Sequence, residues 1–116
     1  MNTMDTYFKL SDTAGRDVND FNTLIDLFDP NGAVEPASGS SFIGRQEISN
    51  FFTSFFDRNI KLRHVWVTEK QPNGYKTTWA VAGITKEGRL ISLRGTDYAE
   101  INSEDRISHL KVIIEN

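Results

Sequence analysis

The sequence predicts an α+β fold, with helices packed on one face of a curved antiparallel sheet. Two observations carry this. Apolar residues recur at helical spacing through the first half of the chain and at a period of two from Asn59 onward. The segments between the period-two runs are short and rich in turn formers, so consecutive strands pair as neighbours. Helices first and strands afterwards define a layer of helices on a sheet.

The elements follow in chain order. A first helix is expected over residues 3–11, with Met4, Tyr7 and Phe8 facing inward. In "DVNDFNTLIDLF", Phe21, Leu24, Ile25 and Phe28 recur at i, i+3, i+4 and i+7, with Asp17 or Asn19 as N-cap. "DPNG" then reads as the stop, and a short strand is expected at residues 33–36. In "GRQEISNFFTSFFDR", Ile48, Phe51, Phe52, Phe55 and Phe56 form a broad aromatic stripe that begins after Gly44. Four strands follow, at residues 60–70, 75–85, 89–101 and 106–114, joined by "QPNG", "KEG" and "NSED". The result is an antiparallel meander.

Composition narrows the function classes. A chain of 116 residues suits one domain, residues 1–116, with a real core. Thirteen Lys and Arg against sixteen Asp and Glu give a net charge of −3, which argues against a sequence-independent nucleic-acid binder. The basic cluster at residues 61–64 alternates with apolar residues and reads as the solvated side of a strand. With no cysteine, a disulfide framework, a thiolate nucleophile and a Cys-based zinc site are excluded. "MNTMDTYFKL" lacks the apolar core of a signal peptide and no run reaches transmembrane length, so a cytoplasmic protein without membrane partners is expected.

Strand faces raise the functional question. In "RLISLRGTDYAEI", Ile91, Leu93, Gly95, Asp97, Ala99 and Ile101 share one face, apolar except for Asp97. An unpaired carboxylate on a buried face is costly. In "IKLRHVWVTEK", Leu62, His64 and Trp66 share one face while Val65 and Val67 share the other. Apolar residues on both faces lead to the expectation of a homodimer through the outer face of the sheet. A monomer with scattered surface valines is the plainer alternative.

This layout resembles the nuclear transport factor 2-like superfamily, and within it the polyketide-cyclase (SnoaL-like) and ketosteroid-isomerase branch. The segments that carry the resemblance are "DVNDFNTLIDLFDPNGAVEP", "FIGRQEISNFF", "RHVWVTEKQPNGYKTTWAV" and "RGTDYAEINSEDRISHLKV", in that order along nearly the whole chain. The resemblance implies a cone-shaped fold whose sheet wraps around the helices and leaves a mostly apolar pocket at its open end. Members of the superfamily include isomerases, cyclases, dehydratases, epoxide hydrolases and proteins without catalysis, so fold does not settle function.

Asp97 in "GTDYAEI" matches the position at which the isomerases carry an aspartate that stays protonated and donates to an oxyanion. A carboxyl in an apolar pocket has its charged form disfavoured, which suits that task. The plainer alternative is a structural aspartate, bonded to a helix-end amide or paired with Arg45. His64 matches a strand on which the scytalone-dehydratase-like members place a histidine near the pocket, so Asp97 and His64 could exchange protons as acid and base. Equally, His64 could donate to a backbone carbonyl. His109 and Lys111 fall on the outer face and are set aside.

The steroid isomerases have Val-Glu-Asp where this chain has "VEP". Pro36 therefore stands at the base position, and Glu35, one residue earlier, points to the opposite face. Tyr7 is the one tyrosine near the isomerases' donor on the first helix. Trp66, Trp79, Phe42, Phe52, Phe55 and Leu93 are the candidates for an apolar ligand wall, with plain core as the alternative for the aromatic ones. "ASGSS" reads as a loop at the pocket rim. Two isolated histidines on different strands make no metal site, and no cofactor is expected. The expectation is a small-molecule pocket protein that acts on a small apolar organic molecule. Cofactor-independent acid/base catalysis (isomerase, cyclase, dehydratase or hydrolase type) is one reading. A non-catalytic ligand-binding or dimerisation module on the same fold is the other.

Overall fold

The structure is a computed structural model that describes residues 1–115. Its first helix, α1 (Thr3–Ser11), starts at Asn2, whose side chain accepts from the Asp5 amide at 2.8 Å. Helix α2 (Val18–Asp26) is capped by Asp17, which accepts from the amides of Asn19 and Asp20. Helix α3 (Arg45–Asp57) follows Gly44, where a φ of 88° turns the chain into the helix without a side-chain cap. Met4, Tyr7 and Phe8 of α1 are buried, as the periodicity predicts. On α3, Ile48, Phe52 and Phe56 are buried at intervals of one turn, while Phe51 and Phe55 are half-buried.

The region between α2 and α3 differs from expectation. Helix α2 ends at Asp26, and Phe28 opens the strand β1 (Phe28–Glu35) rather than continuing the helical stripe. "DPNG" is thus not a stop before a strand at 33–36 but part of the strand itself. Phe28 lies beside Ile107 and Ala33 beside His109, and the register slips between them, so the intervening residues form a bulge. The Asp29 carboxylate steadies it by accepting from the Asn31 amide and from the Asn102 side chain, each at 2.8 Å. A two-residue strand, β2 (Phe42–Ile43), pairs with β1.

From Asn59 the expected meander is present as β3 (Asn59–Gln71), β4 (Gly74–Thr85), β5 (Leu90–Ile101) and β6 (Ile107–Glu115), each antiparallel to the next. The six-stranded order is β2-β1-β6-β5-β4-β3. β1 runs parallel to β6, so the sheet is mixed rather than purely antiparallel. Irregularities at Asn59/Lys61 and Glu100/Ile101 interrupt its register, and bulges of this kind curve a sheet.

The helices cover one face only. Met4, Leu24, Ile25, Val34, Ile48, Phe52 and Leu110 sit at the centre of a single core. The opposite face carries the ion pairs of Glu35 with His109 and Lys111, and of Glu100 with His109. Val65 and Val67 are also on that face, 69% and 67% exposed. Among the described residues, no helix is long and apolar enough to cross a membrane.

Candidate functional site

Strand register arranges the inner face in rows. One row runs Thr68, Thr77, Asp97, Val112; the next runs Trp66, Trp79, Gly95, Ile114; the next holds His64, Val81 and Leu93. Period-two alternation therefore puts Asp97 on the helix-covered face, as the sequence predicts. It is 2% exposed.

Among the described residues, no ion pair reaches this carboxyl. Arg45, its partner in the plainer structural alternative, instead pairs with Asp26 at 2.7 Å on the surface. The partner of Asp97 is the indole of Trp79, whose Nε1 donates to Oδ1 at 2.9 Å. Burial pushes the carboxyl up to about 7, and the indole bond offsets part of that rise. Tyr7 reaches the same centre from α1. Its phenol is raised well above the usual tyrosine range by burial and, secondarily, by the charge of Asp97. At neutral pH the centre thus offers a neutral phenol and a carboxyl poised between its two forms. Such groups donate to an acceptor oxygen or give up a proton.

The structure does not bring His64 to this centre. Its row lies four residues along the strands from that of Asp97 and two strands over, about 13 Å by about 10 Å. Its partner is Asp12, the C-cap of α1, whose Oδ1 accepts from both the His64 amide and Nδ1 at 2.8 Å. The paired Nδ1 carries the proton when the ring is neutral. Desolvation lowers the His64 pKa despite the favourable carboxylate. Neither a couple with Asp97 nor donation to a backbone carbonyl is found; a carboxylate docks the histidine instead.

The remaining candidates divide. Phe52 and Trp79 belong to the buried core, at 2% and 8% exposure. Trp66 and Phe55 pack against that core while staying half-buried. Trp66 stacks on Phe8 with ring centroids 5.8 Å apart and donates to Asp5 at 2.9 Å. Leu93 is exposed on the inner face, and Ile114 beside Gly95 is also partly open. Val112, Ile114 and Leu93 therefore form an apolar ramp from the Asp97 row to solvent. Phe42 packs on Phe51 and lines, with Ser38–Ser41, Glu47 and Asn50, a surface concavity of about 300 Å³. The expected rim loop does border a hollow, but Asp97 is not among the residues lining it. Glu35 points outward, in register with Lys111.

Asp12 and Thr77 carry no sequence expectation, and Gly95 is expected only as a member of the inner face. Thr77 is fully buried beside Asp97, its hydroxyl 3.0 Å from that of Thr68. Gly95 had a usable signal, since a lone glycine inside a strand marks a close approach. Asp12 had none, because its partner lies 52 residues away. Among the described residues, no group of three or more metal-ligating side chains converges.

No protein-family model matches the chain, and no curated protein matches it significantly. Solved structures do. An NTF2-like protein of unknown function from Exiguobacterium sp. 255-15 is 28% identical over 99% of both chains, with a TM-score of 0.87. The Δ5-3-ketosteroid isomerase of Mycobacterium sp. is 14% identical over 95% of this chain and 88% of its own, with a TM-score of 0.77. A Mycobacterium tuberculosis protein in complex with estradiol-17beta-hemisuccinate is 15% identical over 97% and 93%, with a TM-score of 0.75.

Proposed function

This chain has the nuclear transport factor 2-like fold, and we propose that it binds a small apolar organic molecule on the inner face of its sheet, with Asp97 as a neutral donor or general acid. One observation carries the reading. A carboxyl with no ion pair among the described residues sits at the foot of an apolar ramp, where its proton is held to about pH 7. An amide at this position would accept from the Trp79 indole equally well; what the carboxyl adds is a proton. Tyr7 supplies a second neutral donor from α1. The ligand group that suits two such donors is a carbonyl, enol or phenol oxygen. With Pro36 at the base position and Glu35 outside, steroid isomerisation by the family route is not part of this proposal. His64 acts through Asp12 to hold α1 and takes no proton from the ligand.

Binding of estradiol-17beta-hemisuccinate, followed by tryptophan fluorescence, tests the reading. If only the protonated carboxyl is competent, the apparent affinity falls about tenfold between pH 6 and pH 8, in step with the competent fraction. Asp97→Asn removes that dependence. Saturable binding of equal strength at both pH values would overturn the role of Asp97.

A second reading has its own support. Neither of the two concavities described includes Asp97, which favours a non-catalytic module in which Asp97 serves only as acceptor for Trp79. In that reading, as in the first, the exposed valines of β3 support a homodimer through the outer face.

A further inference from the structure

The geometry points to Trp79 as the positioning residue for Asp97: its indole fixes the acid proton on Oδ2, and Gly95 is the residue that allows it. This rests on the reading of Asp97 as the ligand-facing acid, although its test does not require a ligand.

Trp79 and Gly95 are register partners on β4 and β5, and Asp97 is the next inner-face residue along β5. A Cβ built on Gly95 would stand 2.8 Å from Cζ2 of Trp79 and would collide with the Ile113 carbonyl. The benzo edge of the indole therefore occupies the space that a side chain at position 95 would fill. Lying there, the ring carries Nε1 one residue pair further, to 2.9 Å from Oδ1 of Asp97. The oxygen that accepts the indole N–H is the carbonyl-type oxygen of a neutral carboxyl, so the proton belongs to Oδ2.

Trp66 stands in the same row but on β3, two strands from Asp97, and its indole donates to Asp5 of α1. Its N–H therefore serves as a reference outside the Asp97 centre. Thr77 from β4 and Val112 from β6 flank Asp97 in register and do not titrate, and the phenol of Tyr7 from α1 feels its charge. A bond to the ionised form favours that form, so Trp79 also holds the carboxyl below the value burial alone would give it.

The experiment follows the Asp97 carboxyl carbon and both indole N–H protons by NMR between pH 4 and pH 9. The Trp79 N–H is expected to shift with the same midpoint as the Asp97 carboxyl, while the Trp66 N–H does not follow it. In Trp79→Phe the Asp97 midpoint rises by about one to two pH units, the equivalent of one lost charge-assisted hydrogen bond. In Asp97→Asn the Trp79 N–H remains hydrogen-bonded and ceases to titrate. A Trp79 N–H indifferent to the Asp97 titration overturns the proposal even where Trp79→Phe does not fold. An unchanged or lowered midpoint in a folded Trp79→Phe overturns it too. Failure to bind a ligand would count against the proposed function alone and would leave these titrations as they are.

Discussion

Replacing Asp97 by Asn separates the cost of burying a charge from the value of the hydrogen bond. The unfolded aspartate titrates near 3.8 and the folded one near 7. A raised folded pKa means that the ionised form is less comfortable in the fold than in the unfolded chain. The penalty is therefore absent at low pH, grows as pH rises from about 4 to about 7, and is complete above that. The gap of about three units corresponds to about 4 kcal/mol at 1.36 kcal/mol per unit. At 2% exposure the group has little solvent to screen it. Asparagine retains the acceptor for Trp79 but brings an NH₂ that must find a partner, at about 1–3 kcal/mol if it does not. That second cost is independent of pH. The informative quantity is thus the change in the stability difference: between pH 4 and pH 8 it should move by about 4 kcal/mol in favour of Asp97→Asn. Urea melts of both proteins at pH 4, 6 and 8 measure it. A difference that moves the other way would show that the fold favours the ionised carboxylate, and the argument from burial would fail.

Other expectations are more local. Phe52→Ala should destabilise by about 3–5 kcal/mol, and Phe55→Ala, at a half-buried ring, by about 1–2 kcal/mol; denaturant melts distinguish them. His64 has a lowered folded pKa, so its contribution is present above its ordinary value of 6.5 and is lost as pH falls through and below it. His64→Gln should flatten the loss of stability between pH 7 and pH 5. The comparison is best made in Asp97→Asn, where the opposing slope of Asp97 is gone. Gly95→Ala forces a methyl against Trp79 and the Ile113 carbonyl and should cost at least about 1–3 kcal/mol, with a changed near-ultraviolet tryptophan signal. If the outer face of the sheet joins two copies, Val67→Glu should halve the mass measured by light scattering and leave the fold intact.

Local patterns exposed most of this architecture. The bounds of α1, the stripe of α3 and the four strands of the meander follow from spacing and turn chemistry, because each is decided within a dozen residues. β1 was misjudged for the complementary reason. Phe28 satisfies the helical period of α2, yet its neighbour is Ile107, and "DPNG" reads as a stop unless that distant strand is known to be beside it. At the site, alternation placed Asp97 on the inner face and Glu35 on the outer one. It could not show that Arg45 would be taken by Asp26, or His64 by Asp12, since side-chain pairing across the fold leaves no local trace.

The sheet order has a consequence for how the protein is made. β6, the latest strand in sequence, is not at an edge; it stands between β1 and β5 and alone joins the β2–β1 pair to the meander. During synthesis the earlier strands can emerge and the hairpins can form, but β1 and β2 have no sheet to join until β6 has left the ribosome. The nascent chain therefore holds Phe28 and Val34 without their native neighbours, Ile107 and Leu110, until β6 has been made. A stop codon ahead of residue 107 would not trim the protein but would divide its sheet in two.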